Sequence, residues 1–189
     1  SLGMLRTGDS PLNLSLAPHM PRAGRAALAG QSSALSAMLL AGTDARGIGL
    51  HEFVGVGNRA DVSLNDTLQH WEDDEEVGVI GLAMESMGNP RKFTRITRRL
   101  SRSKPVVVVR SDVTGRFLPP GHETRTTQAP EGTVDSMLDQ TGVLEAHTHE
   151  AMLDILMAVA SQPLPTGHRV VLVAGNTPEF VIGLYGALR

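Results

Sequence analysis

The chain contains no cysteine, which excludes a disulfide framework, thiolate catalysis and cysteine-ligated metal, and fits a cytoplasmic location. Aromatic residues make up only 3%, so any core must be filled by Val, Leu, Ile, Ala and Met. No apolar run approaches the roughly 20 residues that a membrane helix needs, and the first residues show no signal-peptide pattern. No membrane contact is expected. Neither sign of charge dominates: the net charge of −3 supplies no electrostatic pull toward nucleic acid or an anionic lipid surface.

What is present suits one globular domain with room for a fragment of a second: 189 residues, 41% hydrophobic and 20% charged. The 20 glycines suggest many tight strand-to-helix turns. The pattern is strand, helix, strand, helix, repeated. Residues 25–30 read as a short buried strand, and an Ala/Leu/Met-rich helix follows from Ser32 to near Gly47. Residues 53–56 form the next strand, with Ser63 capping a helix through Trp71. Residues 77–84 are a third apolar run. Residues 90–102 place Phe93, Ile96 and Leu100 on one helical face and arginines elsewhere. The four valines at 106–109 form a strand buried on both faces. Residues 111–132, rich in Pro, Gly and polar side chains, read as a long irregular or mobile loop. A helix at 133–140, a short strand at Val143-Leu144 and a helix at 148–160 complete the set.

Alternating units of this length imply an α/β fold, a flavodoxin-like parallel sheet of about five strands with helices on both faces, occupying residues 25–160. Residues 1–24 are a lead-in and 161–167 a linker. Residues 168–189 begin a second α/β domain or form an appendage packed on the first.

In an open parallel sheet, ligands bind beyond the carboxyl ends of the strands. Three places meet there. Gln31, Ser32 and Ser33 lie at a helix N-terminus, whose free N–H groups and dipole attract phosphate; a plain N-cap is the commoner use of such serines. Gly57-Asn58-Arg59-Ala60-Asp61 follows the second strand and reads equally as a turn plus a cap. Glu85 ends the long apolar strand, either as a solvated carboxylate or as partner to a histidine or cation. The acidic run Asp73-Asp74-Glu75-Glu76 reads as a solvated helix end. His147 and His149 lack the Cys or carboxylate companions of a metal site, so no metal is expected; His51, His70 and His168 read as surface residues. The arginines of residues 91–102 read as a wet helix face, without the aromatic residues that stack on bases.

The run Gly30-Gln31-Ser32-Ser33-Ala34-Leu35 is similar to the Ser-Gln-Ser-Gly-Ala-Leu motif of the NDP-forming acyl-CoA synthetases, the superfamily that includes succinyl-CoA synthetase. Arg46-Gly47-Ile48-Gly49, Phe53-Val54, Gly57-Asn58-Arg59-Ala60-Asp61-Val62, Lys104-Pro105-Val106 and Gln140-Thr141-Gly142-Val143 continue the match in order. The chain therefore resembles the ligase-CoA, or phosphohistidine, domain of that superfamily. The resemblance implies a phosphoryl relay: a loop histidine, here His122, takes a phosphoryl group from an acyl phosphate. The N-termini of two helices hold it, and Glu85 steadies the ring. Gln31, Ser32 and Ser33 fall on one phosphate-holding turn. No cofactor is expected within this chain; CoA and a nucleotide belong to other synthetase domains, CoA-binding and ATP-grasp.

Three departures imply that the relay is impaired. Ser33 stands where the family has glycine. His122 is followed by Glu123-Thr124-Arg125 rather than small residues, and counting back from Val143 sets Glu123, not His122, in the histidine's place unless one residue is inserted. Thr177-Pro178-Glu179 makes a good helix start, but puts a carboxylate where the second phosphate-holding turn should be. The alternative function is a non-catalytic scaffold, sensor or interaction domain, for example fused to a protein acetyltransferase domain. Homo-oligomerisation stays open.

Overall fold

The computed structural model describes residues 1–110 and 132–162. Two short strands come first, β1 (Gly3–Arg6) and β2 (Leu12–Ser15), and five more follow: β3 (Ala23–Gly30), β4 (Leu50–Gly55), β5 (Val79–Met84), β6 (Val106–Arg110) and β7 (Leu144–Ala146). Five helices alternate with the later strands: α1 (Ser33–Ala45), α2 (Leu64–Glu72), α3 (Pro90–Leu100), α4 (Thr133–Asp139) and α5 (His149–Ser161). The sheet order is β2-β1-β4-β3-β5-β6-β7. Strands β3 to β7 are mutually parallel, while β1 pairs antiparallel with both β4 and β2. Among the parallel strands the order is second, first, third, fourth, fifth, which is the flavodoxin-like winding. Its switch point lies between β3 and β5.

Both faces are covered, as the sequence pattern requires. One core joins Leu28, Phe53, Val107 and Val109 to Leu39 and Leu40 of α1 and Met152, Leu153 and Leu156 of α5. The other joins Ile80, Leu82, Val106 and Val108 to Leu64, Leu68 and Trp71 of α2, Phe93, Ile96 and Leu100 of α3, and Leu138 of α4. β5 is buried at all six positions, and the four valines of β6 are buried as well, so neither strand alternates polar with apolar. The predicted apolar face of α3 is the one that packs, and Arg91, Arg95, Arg98 and Arg99 are exposed.

Two strands were not foreseen in the lead-in. Gly3, Gly8, Pro11, Pro18 and Pro21 break its hydrophobic pattern, and only pairing against β4 makes the segment extended. Leu2 and Leu5 then enter the core. His51 differs from expectation too: it is 6% exposed. Its Nε2 lies 3.1 Å from Asp74 Oδ2, so the second residue of the acidic run is spent on a buried partner rather than on solvent. Burial works against a charged Asp74, yet the Glu76 N–H, His51 and Arg6 outweigh it and hold the carboxyl below its usual value. Lys104 closes the same corner, donating to the carbonyls of Trp71, Glu72 and Asp74. The 111–132 loop apart from Gly132, His122, residues 163–167 of the linker and the 168–189 segment lie outside the described residues.

Candidate functional site

The switch point is built by three strand ends in register. Gly30 of β3 aligns with Gly55 of β4 and with Ala83 of β5, so the loops that follow emerge at one rim. The Val56 N–H donates to Gly30 O at 3.0 Å, and the Gln31 N–H to Ala83 O at 3.3 Å. Gln31 itself is 7% exposed. Its Oε1 accepts from the N–H of Glu85 at 2.7 Å and of Ser86 at 2.9 Å. One side-chain amide thereby ties the β3–α1 turn to the β5–α3 turn, and it satisfies two backbone donors that the end of β5 would otherwise leave unpaired.

Helix α1 starts immediately after that tie. Ser32 is its N-cap, accepting from the Leu35 N–H at 3.3 Å, and the first turn carries no acidic residue. The positive end of the helix therefore keeps its attraction for an anion. Ser33 is the first helical residue and is exposed. Glu85 is half-buried, and its carboxylate makes no hydrogen bond or ion pair among the described residues. Gln31, Asn58 and Glu85 thus follow the carboxyl ends of three adjacent strands, with Gln31 and Glu85 in direct contact. Among the described residues no group of three or more His, Cys, Asp or Glu could hold a metal ion, and no helix is long and apolar enough to cross a membrane.

Sequence reasoning singled out residues 57–61 as one of three rim segments, or else a turn plus a cap, but missed Arg59 as an individual. Its backbone is left-handed at φ 58°, the one non-glycine in that region among the described residues. Its side chain reaches the β5–α3 loop: a Cβ placed on Gly88 would sit 2.9 Å from Arg59 Nη1. The nearby α2 and α3 starts are conventional. The Ser63 N–H and hydroxyl both donate to Asp66 Oδ2, Asp66 also takes Lys92 Nζ at 2.6 Å, and Asn89 caps α3. Lys92 first, then Ser63, lower the Asp66 carboxyl to about 2.

The family model of the succinyl-CoA ligase-like flavodoxin domain matches residues 23–159. The chain belongs to this family. The α subunit of ADP-forming acetate–CoA ligase I from Pyrococcus furiosus is 31% identical over 166 residues, which cover 87% of this chain and 36% of that protein. ADP-forming 4-hydroxybutyrate–CoA ligase from Nitrosopumilus maritimus is 31% identical over 161 residues, covering 82% and 22% respectively. Among solved structures, the dinucleotide-forming acetyl-coenzyme A synthetase 1 of Ca. Korarchaeum cryptofilum, determined with phosphate and ADP, superposes with a TM-score of 0.79 at 29% identity. That match covers 89% of this chain and 37% of that one. The ATP citrate lyase of Methanosaeta concilii, at 12% identity and TM-score 0.60, shares the fold. This flavodoxin-like domain therefore corresponds to about a third or less of the longer synthetases it matches.

Proposed function

We propose that this chain is the phosphoryl-transfer domain of an NDP-forming acid–CoA ligase-like protein, with its histidine relay impaired. The observation that carries the reading is the Gln31 tie, which joins the turn that starts α1 to the backbone of Glu85 at the switch point, with the Glu85 carboxylate unpaired among the described residues. A helix N-terminus can hold a phosphoryl anion with fixed dipoles, and a free carboxylate can orient an imidazole N–H. His122 is the proposed acceptor, Glu85 its orienting partner, and Gln31, Ser32 and Ser33 the phosphate-holding turn. CoA and the nucleotide bind on other domains of a longer protein, of CoA-binding and ATP-grasp type. Impairment rests on the Ser33 side chain, which stands at the first helical residue where a phosphate would approach backbone, and on the charged residues after His122.

The test is incubation of the intact protein with γ-³²P-ATP or with acetyl phosphate, followed by assay of acid-labile label. Weak labelling is expected, lost in His122→Ala, reduced in Glu85→Gln and raised in Ser33→Gly. Near-stoichiometric labelling of the parent refutes the impairment. Label that survives in His122→Ala refutes the relay itself, and complete absence of label in both the parent and Ser33→Gly leaves the scaffold function.

A further inference from the structure

We infer that Arg59 is an oxyanion-holding residue of the switch-point site. The inference deepens the phosphoryl-transfer reading and rests on it for the identity of the anion, but its geometry stands separately. Arg59 leaves the loop after β4, and its Nη1 lies against Gly88 in the loop after β5. β3 lies between those two strands, so the loop carrying Arg59 and the loop carrying Gly88 leave the same rim as the turn that begins at Gln31, and the guanidinium sits where Asn65 of α2 also approaches Gly88. Its Nε is buried and has no hydrogen-bond partner, and the side chain makes no ion pair among the described residues. A buried guanidinium N–H without an acceptor is costly, so a native structure that retains one invites an acceptor from outside the chain.

The backbone adds an independent argument. A φ of 58° suits glycine, and four nearby or equivalent turn positions, Gly47, Gly57, Gly88 and Gly142, do use glycine at positive φ. Placing arginine there keeps a strained residue whose stability would improve by replacement, a pattern found where the side chain is needed for binding. Arginine also suits the ligand, because its planar fork matches the oxygens of a phosphoryl group. The acceptor class is thus a phosphate-type oxyanion, held by the Arg59 guanidinium at the same rim as the N-terminus of α1.

One bland arrangement competes. Asn65 Oδ1 is also buried without a partner, and its amide lies near the same Gly88, so a water between Asn65 and Arg59 would make Arg59 a structural clamp. Arg59→Gly separates the two. It removes the cation while relieving the left-handed strain. Binding of ³²P-labelled inorganic phosphate to the intact protein at low salt is measured by equilibrium dialysis, with thermal unfolding run alongside. The expected result is an unchanged or higher melting temperature in Arg59→Gly with phosphate affinity down about tenfold or more, and partial retention in Arg59→Lys. A lowered melting temperature with unchanged phosphate affinity overturns the inference, as does a parent protein that binds no phosphate. Acid-labile labelling of the same preparations reports on the relay: a parent that binds phosphate through Arg59 but takes no label defeats the relay reading and leaves the Arg59 site standing.

Discussion

Replacing Gln31 by leucine tests whether the rim is held by one side-chain acceptor. Gln31 Oε1 receives the N–H groups of Glu85 and Ser86, and Ser86 is 8% exposed. Leucine has nearly the same size but no acceptor, and its bulk denies entry to a substituting water. Each buried donor left unpaired costs about 1–3 kcal/mol. The half-buried Glu85 N–H can recover part of that from solvent, and the new apolar side chain returns about 1 kcal/mol through its own burial. The net expectation is a loss of about 1–3 kcal/mol. Urea denaturation measures it, with an unchanged slope showing that the same surface unfolds. Hydrogen exchange adds a local readout, since the amides of residues 85 and 86 should lose protection before the remainder of β5 does. Gln31→Glu at acidic pH is the control: its protonated side chain keeps the acceptor carbonyl without burying a charge beside Glu85, and stays within about 1 kcal/mol of the parent under the same conditions. A Gln31→Leu protein as stable as the parent, or Gln31→Glu as damaged as Gln31→Leu, would show that the acceptor is not what joins the two turns.

Glu52 is 4% exposed, accepts from Trp71 Nε1, and lies 3.2 Å from His70 Nε2. Glu52→Leu should cost about 1–3 kcal/mol by orphaning the indole N–H and shift the emission of this single tryptophan, whereas Glu52→Gln should change both little. The Asp66 carboxyl, lowered to about 2 by Lys92 and Ser63, contributes stability that is present above the ordinary aspartate value and lost as pH falls toward 2. NMR titration should find the low midpoint in the parent and a midpoint raised toward the ordinary value in Lys92→Ala. A Cβ on Gly24 would collide with the backbone of Gly49, which cannot rotate away, so Gly24→Ala should destabilise by about 1–3 kcal/mol or more in chemical denaturation. Gly47→Ala, where a Cβ meets nothing within 4 Å, should show only the penalty of its φ of 67°.

Hydrophobic pattern by itself determined which segments became the parallel strands, which became helices, and which face of each helix packs. Phe93, Ile96 and Leu100 could be assigned because a helix brings residues three and four apart onto one side whatever surrounds it. The serines at 32 and 63 were legible as caps for the same local reason, whereas Asn89 emerged as the α3 cap only in the structure. The apolar runs placed Gln31 and Glu85 at strand ends, winding rules then put both at one rim, and the family resemblance supplied the roles expected of them. The lead-in strands were not legible, because β1 becomes extended by bonding to β4 and β2 by bonding to β1. Nor was the burial of His51, since its acidic partner is 23 residues away in the chain and nothing local distinguishes it from a surface histidine. Arg59 depended most on tertiary structure. Its sequence context reads as a turn, and its unsatisfied nitrogen, its left-handed backbone and its contact with Gly88 exist only once β3 and its two neighbours bring two distant loops to the same edge. Local periodicity sets what a segment can become, whereas the environment of a charged side chain is set by residues far off in the chain, and that environment decides what the side chain does.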